Sequence, residues 1–284
     1  MNQTELINYI ICPQCGSENL TKNINTFKCL DCRSEYPIKN NILILIRPRN
    51  QFSILSTWNS EGEFAELHKK RLAFNKKQLA TSPRVVMLIK KFTNNKTVTL
   101  DVGCGSGLYT EKFKGSVISF DIVPYFVKEA AKKLSGPKRI FIIADANDFP
   151  FKKNLFDLVF ASQVIEHFDE KSSDKIIKKM IQVSKKLVLI DTPNDGNAFL
   201  RVGKKILYFG KSHHKQDYHL DHHRTLGKKD LEKHNFKTYS CIGFVTRRRI
   251  PLKVLWDIYG IFAWRIPGLG GNLIGILKKN TSNY

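Results

Sequence analysis

Short apolar runs rich in β-branched residues alternate with helical periodicity through the middle of the chain. The runs VTLDVG, SVISFD, RIFIIAD, FDLVFAS and KLVLIDT each fit a buried strand, and the first begins near residue 97. Helical spacing is present near residues 124–134 and 172–184, and PRVVMLIKKF predicts a helix behind Pro83. Strands joined by helices in this order predict right-handed βαβ units, and therefore an α/β fold with a doubly wound, mainly parallel sheet.

The N-terminus follows a different pattern, with two Cys-x-x-Cys pairs. Cys12 and Cys15 form the first pair, and Cys29 and Cys32 form the second after 13 intervening residues. This spacing is typical of two knuckles that bind one tetrahedral zinc ion, and four thiolates leave no open coordination position, so we expect a structural metal. Two disulfides are the alternative. The turn residues in CPQCG favour the knuckles.

A glycine-rich turn follows the first strand of the α/β region. DVGCGSG contains Gly103, Gly105 and Gly107, and a ligand can lie there against backbone that carries no side chain. Asp101 precedes the glycines, and Asp121 follows 20 residues later at the end of the next strand. Because an acidic side chain at that point can accept both hydroxyl protons of a ribose, the pattern predicts a nucleoside site.

Two departures from known nucleotide motifs narrow the kind of nucleoside. A nicotinamide-binding fingerprint has a third glycine three residues after the second, where this sequence has Leu108. The sequence also has no G-x-x-x-x-G-K-[ST] phosphate loop. A nucleoside without phosphates fits best, which favours S-adenosylmethionine. Asp101 can face the cationic methionine end of that cofactor, directly or through water.

Four motifs in order resemble those of the class I S-adenosylmethionine-dependent methyltransferases. TLDVGCGSG, SFDIVPYFVKEAAKK, IIADANDFPF and FDLVFASQVIEHF carry the resemblance, which covers residues 84–279. It implies a seven-stranded Rossmann-like sheet whose last strand, in NLIGILKK, is antiparallel. It also implies the cofactor-binding residues, which are Asp101, Gly103, Gly105 and Gly107 at the methionine end, Asp121 and Ile122 at the ribose, and Asp145 and Ala146 at the adenine.

The N-terminal segment resembles the zinc ribbon of the Trm112-like family. IICPQCG and FKCLDCRSEYPIKNNILILI carry this resemblance over residues 4–47. In that family the ribbon often partners a methyltransferase, so a partner protein at the ribbon is one expectation. We predict a zinc-ribbon module at 1–50, a helical linker at 51–83 and a methyltransferase domain at 84–284.

Glu166 and His167 are the candidate catalytic residues. They follow the fourth strand of the α/β region, and ligands bind at the carboxyl ends of such strands. Either side chain can act as the base if the acceptor is a hydroxyl or a carbon acid. The pair resembles that of the ubiquinone-biosynthesis-like group, whose acceptors are often small or lipid-linked. The alternative is that both residues only begin a helix and close the cofactor pocket.

The charge is strongly basic and unevenly distributed. Lys and Arg total 47 against 25 Asp and Glu, a formal charge of +22, of which residues 201–284 carry +12. This imbalance favours polyanionic partners. RNA methylation, with the ribbon and the basic C-terminal region holding phosphates, is therefore a second hypothesis, and a non-catalytic cofactor-binding partner protein is a third. The arginines at 247–249 precede an amphipathic segment, PLKVLWDIYGIFAW, which fits either membrane contact or packing on the sheet.

Other features add smaller expectations. The stretch HHKQDYHLDHHR at 213–224 contains five of the eight histidines and fits either a metal site or a lid over the acceptor. Cys104 and Cys241 stand alone and are expected in the core. We find neither a signal peptide nor a spanning helix, so the expected location is cytoplasmic, with peripheral membrane contact as an alternative.

Overall fold

The computed structural model describes residues 3–56, 81–194, 226–241, 264 and 271–279. The described helices are α1 Gln3–Leu6, α2 Pro48–Ser56, α3 Pro83–Phe92, α4 Pro124–Leu134, α5 Glu170–Val183 and α6 Lys228–Glu232. The strands are β1 Leu20–Lys22, β2 Thr26–Cys29, β3 Glu35–Lys39, β4 Ile42–Leu45, β5 Val98–Val102, β6 Ser116–Asp121, β7 Arg139–Ala144, β8 Phe156–Ser162, β9 Ser184–Pro193, β10 Lys237–Cys241 and β11 Asn272–Lys278.

The predicted α/β sheet is present. Its strands lie in the order β7-β6-β5-β8-β9-β11-β10. The five strands from β7 to β9 are parallel, whereas β11 is antiparallel to both of its neighbours. The order reverses at β5, so that the chain runs outward in one direction and then in the other. A doubly wound parallel sheet opens its ligand crevice at the carboxyl ends of the strands near such a switch point.

The N-terminal strands extend this sheet instead of forming a separate one. β1, β2, β3 and β4 pair in succession as antiparallel neighbours, and β4 then pairs in parallel with β7. Within the described residues the sheet therefore has 11 strands, whereas the sequence predicts seven. The extension is possible because β7 would otherwise be the edge strand of the predicted seven-stranded sheet. An edge strand has unpaired backbone groups, and here β4 pairs with them.

The apolar run in NILILI explains why β4 can occupy that position. Leu43 and Leu45 pack into the core on one face of the sheet, together with residues of the N-terminal segment. Ile42 and Ile44 pack on the other face, against a core that includes Val127 of α4. A strand that is buried on both faces has a continuous apolar sequence rather than an alternating one. β4 is thus an interior strand of the extended sheet.

The lone cysteines lie where the sequence predicts them. Cys104 and Cys241 are both buried among apolar residues, and all six cysteines are free thiols. No helix within the described ranges combines the length and apolar character needed to cross a bilayer.

Candidate functional site

The glycine turn after β5 has one open position. The backbone of Gly103, Gly105 and Gly107 has positive φ, which L side chains rarely adopt. A Cβ at Gly103 would lie 2.4 Å from a Val164 methyl group, and one at Gly107 would lie 2.6 Å from a Leu134 methyl group. A Cβ at Gly105 would meet nothing within 4 Å. Two of the glycines therefore permit close packing within the protein, and the third leaves space for a ligand.

Asp121 at the end of β6 joins this turn directly. The Gly105 amide donates to its Oδ2 at 3.0 Å, and the Val123 amide donates to its Oδ1 at 3.0 Å. Burial raises the pKa of Asp121, while these amides and the nearby His167 act to lower it. Each carboxylate oxygen can accept a further hydrogen bond. Asp121 can therefore support the turn and still bind a diol.

The structure places Asp101 beneath the turn. Its carboxyl group is 2% exposed, and the Thr110 hydroxyl donates to Oδ2 at 2.6 Å. Burial raises the pKa of Asp101 to about 7, opposed by the Thr110 hydrogen bond and increased further by the negative charge of Asp121. The carboxyl group thus contacts Thr110 and is shielded from the solvent, and its role at the methionine end of the cofactor stays a prediction.

The stability of the fold should depend on the protonation of Asp101. The pKa of Asp101 is about 7 in the folded protein and 3.8 for an unperturbed aspartate, the value expected in the unfolded chain. Between these two pH values the folded protein therefore binds more protons than the unfolded chain does. The free energy of unfolding should therefore fall as the pH rises from about 4 to about 7, with a loss of about 1 to 2 kcal/mol from this group in the part of that range above about pH 5.5. Asp101→Asn should reduce that slope in urea titrations at several pH values. An unchanged slope in the variant would refute this assignment.

The segment after β7 forms the third side of the site. The amide of Asn147 donates to Asp145 Oδ1 at 2.8 Å, which closes a tight turn after Asp145. Ala146 is buried in the same turn. Ile122, which follows Asp121, is a large apolar residue that is 41% exposed. An exposed apolar side chain next to a carboxylate suits a ligand that has a flat ring attached to a sugar.

Glu166 and His167 lie in a 3₁₀ helix, Ile165–His167, after β8, but their environments differ. Glu166 is fully buried, and the Thr192 hydroxyl donates to its Oε2 at 3.2 Å. Burial raises its pKa to about 7, opposed by a backbone hydrogen bond and the Thr192 hydroxyl. Oε1 is buried without a hydrogen-bond partner. His167 is partly exposed and close enough to Asp121 to lower the pKa of that carboxyl group.

A buried polar cluster at the ends of β8, β9 and β11 is not among the residues that the sequence singles out. Asp191 is at its centre, where Oδ2 accepts from the Ser162 hydroxyl at 2.7 Å and Oδ1 accepts from the Asn272 amide at 3.0 Å. Burial raises the pKa of Asp191 despite these bonds. The only signal in the sequence is an acid within the apolar run LVLID. The cluster lies at the same sheet edge as the glycine turn.

The four N-terminal cysteines are gathered at one point. Their sulfur atoms all lie within 4.8 Å of one another, with 3.5 Å between Cys12 and Cys32 and 3.6 Å between Cys15 and Cys29. A tetrahedral zinc ion with Zn–S bonds of about 2.3 Å needs sulfur atoms about 3.8 Å apart, so this donor set fits. The buried Tyr36 hydroxyl lies 2.9 Å from the Cys12 sulfur, a position from which it can donate to a thiolate.

Several sequence predictions lie outside the described residues. These are the histidine-rich stretch 213–224, the arginines at 247–249, and most of the linker and amphipathic segment.

The central part of the chain is similar to a known protein family. Residues 100–188 match the model of a family described as a methyltransferase domain. This segment runs from β5 to β9 and contains the glycine turn, Asp121 and Glu166. Residues 100–188 are therefore similar to a methyltransferase domain, and they include most of the motifs that resemble the class I S-adenosylmethionine-dependent methyltransferases.

Three relatives share parts of the sequence. An uncharacterised protein of Methanocaldococcus jannaschii is 30% identical over 139 residues, which cover 48% of this chain and 60% of that protein. The chloroplastic tocopherol O-methyltransferase of Arabidopsis thaliana is 33% identical over 93 residues, 30% of this chain and 26% of the relative. The ubiquinone/menaquinone biosynthesis C-methyltransferase of Wigglesworthia glossinidia brevipalpis is 32% identical over 110 residues, 35% of this chain and 44% of the relative. The chain spans less than two thirds of each.

A solved structure supports the fold. A chain of the complex between the Haloferax volcanii Trm112 methyltransferase activator and the putative methyltransferase superposes with a TM-score of 0.50 at 13% identity. The match covers 75% of this chain and 94% of that chain. At this level of identity the similarity concerns the fold alone.

Proposed function

We propose that the protein is an S-adenosylmethionine-dependent methyltransferase that acts on oxygen or carbon of a small or lipid-linked metabolite. The observation that supports cofactor binding most strongly is the open position at Gly105, whose amide donates to the Asp121 carboxylate. The tocopherol and ubiquinone/menaquinone methyltransferases named above support the acceptor class and the choice of oxygen or carbon.

The proposed cofactor contacts follow the sheet edge. Asp121 holds the ribose hydroxyls, with Ile122 beside the ribose, and the turn of Asp145 and Ala146 borders the adenine. The turn from Gly103 to Gly107 holds the methionine end, with Asp101 stabilising the turn through Thr110. When bound, S-adenosylmethionine supplies a methyl group on a positively charged sulfur. Much of the rate enhancement can come from holding the acceptor and the methyl group at attack distance.

The acceptor lies, in this proposal, over the ends of β8 and β9. His167 is the accessible member of the candidate pair and is placed to receive a proton from a hydroxyl or carbon acid. Glu166 is buried against Thr192, so it can contact an acceptor only if the pocket opens beside it. Asp191, with its hydrogen-bond donors Ser162 and Asn272, adds a group of polar side chains at the same edge of the sheet.

We further propose that the four cysteines hold a structural zinc ion and that the chain divides into a zinc-ribbon module at 1–50, a linker at 51–83 and a catalytic domain at 84–284. The compact sulfur cluster and the Tyr36 hydroxyl support the metal site. The continuous sheet means that the first and last of these units share a core. The free thiols are consistent with a reducing compartment such as the cytoplasm.

Transfer of a tritiated methyl group to fractionated extracts tests the proposed acceptor class. Incubation of the purified chain with the labelled cofactor should label the small-molecule or lipid fraction. Label in RNA would instead establish the hypothesis in which the +22 charge binds phosphates. Cofactor binding without label in any fraction would favour the non-catalytic partner protein.

Asp121→Ala should weaken the binding of S-adenosylhomocysteine, the reaction product, at least about tenfold. The variant removes the acceptor for the ribose and also the acceptor for the Gly105 amide, and a hydrogen bond to a charged group contributes about 1.5 to 3 kcal/mol. Isothermal titration calorimetry measures the change. Asp157→Ala is the matched control, because Asp157 accepts from the Val98 amide at the opposite end of β5. Equal affinities in the two variants would exclude the ribose assignment.

A further inference from the structure

The segment 145–152, which follows β7, is joined to the N-terminal part of the chain by backbone hydrogen bonds. The Ile11 amide donates to the Pro150 carbonyl oxygen at 3.0 Å, and the Lys152 amide donates to the Tyr9 carbonyl oxygen at 2.9 Å. These two bonds belong to a short antiparallel contact that also includes Ile10 and Phe151. The far end of the segment is therefore fixed by residues outside the matched methyltransferase segment.

The near end of the same segment is fixed by the strand pairing. The register of β4 against β7 ends with Leu45 opposite Ala144, one residue before Asp145. Two residues beyond Leu45, the Arg47 guanidinium bonds the Asp148 carboxylate at 2.8 Å. The Arg47 side chain is 31% exposed and that of Asp148 is 10% exposed, so the ion pair is largely shielded from water. Such a pair is costly to break because the remaining charge stays buried.

The backbone between these two attachments is strained. Phe149 has φ of +46°, a value at which a bulky side chain is an outlier, and it is almost completely buried. It packs edge-on against Phe120 of β6 and Phe151, with ring centroids 5.9 and 5.8 Å away. A conformation of this kind persists only where the surroundings hold it. Asp148 lies immediately before the strained residue and three residues after Asp145. Its ion pair with Arg47 therefore helps to hold the turn that contains Asp145 and Ala146.

We propose that Arg47 is a positioning residue for the cofactor site, acting through Asp148 to hold the turn at Asp145 and Ala146 in the shape that receives the adenine. The inference rests on the proposed function, because it concerns the cofactor that function requires. It assigns the N-terminal module a role at the site without any of its residues touching the cofactor.

Calorimetric titration of the full chain with S-adenosylhomocysteine tests the role of Arg47. Arg47→Ala should weaken binding about fivefold or more, within the range typical of coupled sites, and Arg47→Lys should recover part of the loss. Asp148→Asn should cause a similar loss. Because the two residues act as one unit, the double variant Arg47→Ala with Asp148→Asn should bind no more weakly than the worse single variant.

The matched control is Lys28→Ala. It removes the same charge from the same module and also breaks an ion pair, to Glu35 at 3.0 Å, but this pair lies within the module. Affinity in this control should equal that of the wild-type protein. Losses that simply add in the double variant, or an Arg47→Ala affinity equal to that of Lys28→Ala, would overturn the inference while leaving the proposed function intact. A wild-type protein that fails to bind would overturn both.

Discussion

Cys29→Ser is expected to deprive the protein of its zinc and to lower its melting temperature by at least about 10 °C. Cys29 is fully buried, and its thiolate is one of four that converge on one point. Structural zinc contributes about 10 to 16 kcal/mol in small zinc-binding peptides, and three remaining ligands hold the ion far less tightly. A few kcal/mol lost from a chain of this size corresponds to the expected shift.

The reason for a global effect is the shared core. Leu6, Ile10 and Phe27 pack in the same cluster as Leu100 and Val159 of the parallel strands. Loss of the metal should therefore loosen the sheet beyond β4 instead of unfolding a detached module. Metal content is measured by atomic emission after exhaustive dialysis, and stability by thermal unfolding.

Cys241→Ser is the matched control for the metal prediction. Cys241 is also a buried thiol, but it lies on β10 at the opposite end of the sheet. This variant should retain about one zinc ion per chain, the number a four-thiolate site holds. If Cys29→Ser retains as much zinc as Cys241→Ser, the proposed metal site is wrong.

Gly105→Ala is expected to weaken cofactor binding at least about tenfold while leaving a folded protein. A Cβ at this position meets no protein atom within 4 Å, so it would occupy the space assigned to the cofactor. Tenfold corresponds to about 1.4 kcal/mol, which the loss of close backbone contact readily exceeds. The positive φ of +50° adds a stability cost of about 1 to 2 kcal/mol, since alanine is strained there.

Gly16→Ala separates the two effects. Gly16 has φ of +78°, and a Cβ there also meets nothing within 4 Å, but it lies in the N-terminal module. Both variants should lose similar stability in urea unfolding, and only Gly105→Ala should lose affinity for S-adenosylhomocysteine. Equal affinity in the two variants would show that the open position is not part of the cofactor site.

The strands of the parallel sheet could be predicted from the sequence because a strand that is buried on both faces needs a continuous apolar run. The run before Asp121, for example, predicts the strand that carries this carboxylate to the site, and β6 ends at that residue. The spacing of 20 residues from Asp101 similarly anticipates that two acids meet at one sheet edge.

The joining of β4 to β7 could not be predicted in the same way. An apolar run indicates a strand but does not say which of the available strands it pairs with, and these two are about a hundred residues apart in the chain. The sequence predicts that the N-terminal module ends at residue 50, whereas Arg47, three residues before that boundary, bonds Asp148 in the segment after β7.

The sequence also could not predict which side chains at the site are buried. Glu166 and His167 are adjacent and equally polar, yet the 3₁₀ helix turns one into the interior and leaves the other accessible. The polar cluster around Asp191 could not be predicted either, because it is formed by hydrogen bonds from Ser162 and from Asn272, which is 81 positions away in the chain.

Titration of the purified full chain with S-adenosylhomocysteine in a calorimeter tests the central claim most directly. We expect saturable binding of about one molecule per chain with a dissociation constant below about 1 mM, the upper end of ordinary enzyme affinities for small ligands. Heat that never saturates, or saturation that is identical in wild-type protein and Gly105→Ala, would contradict the account.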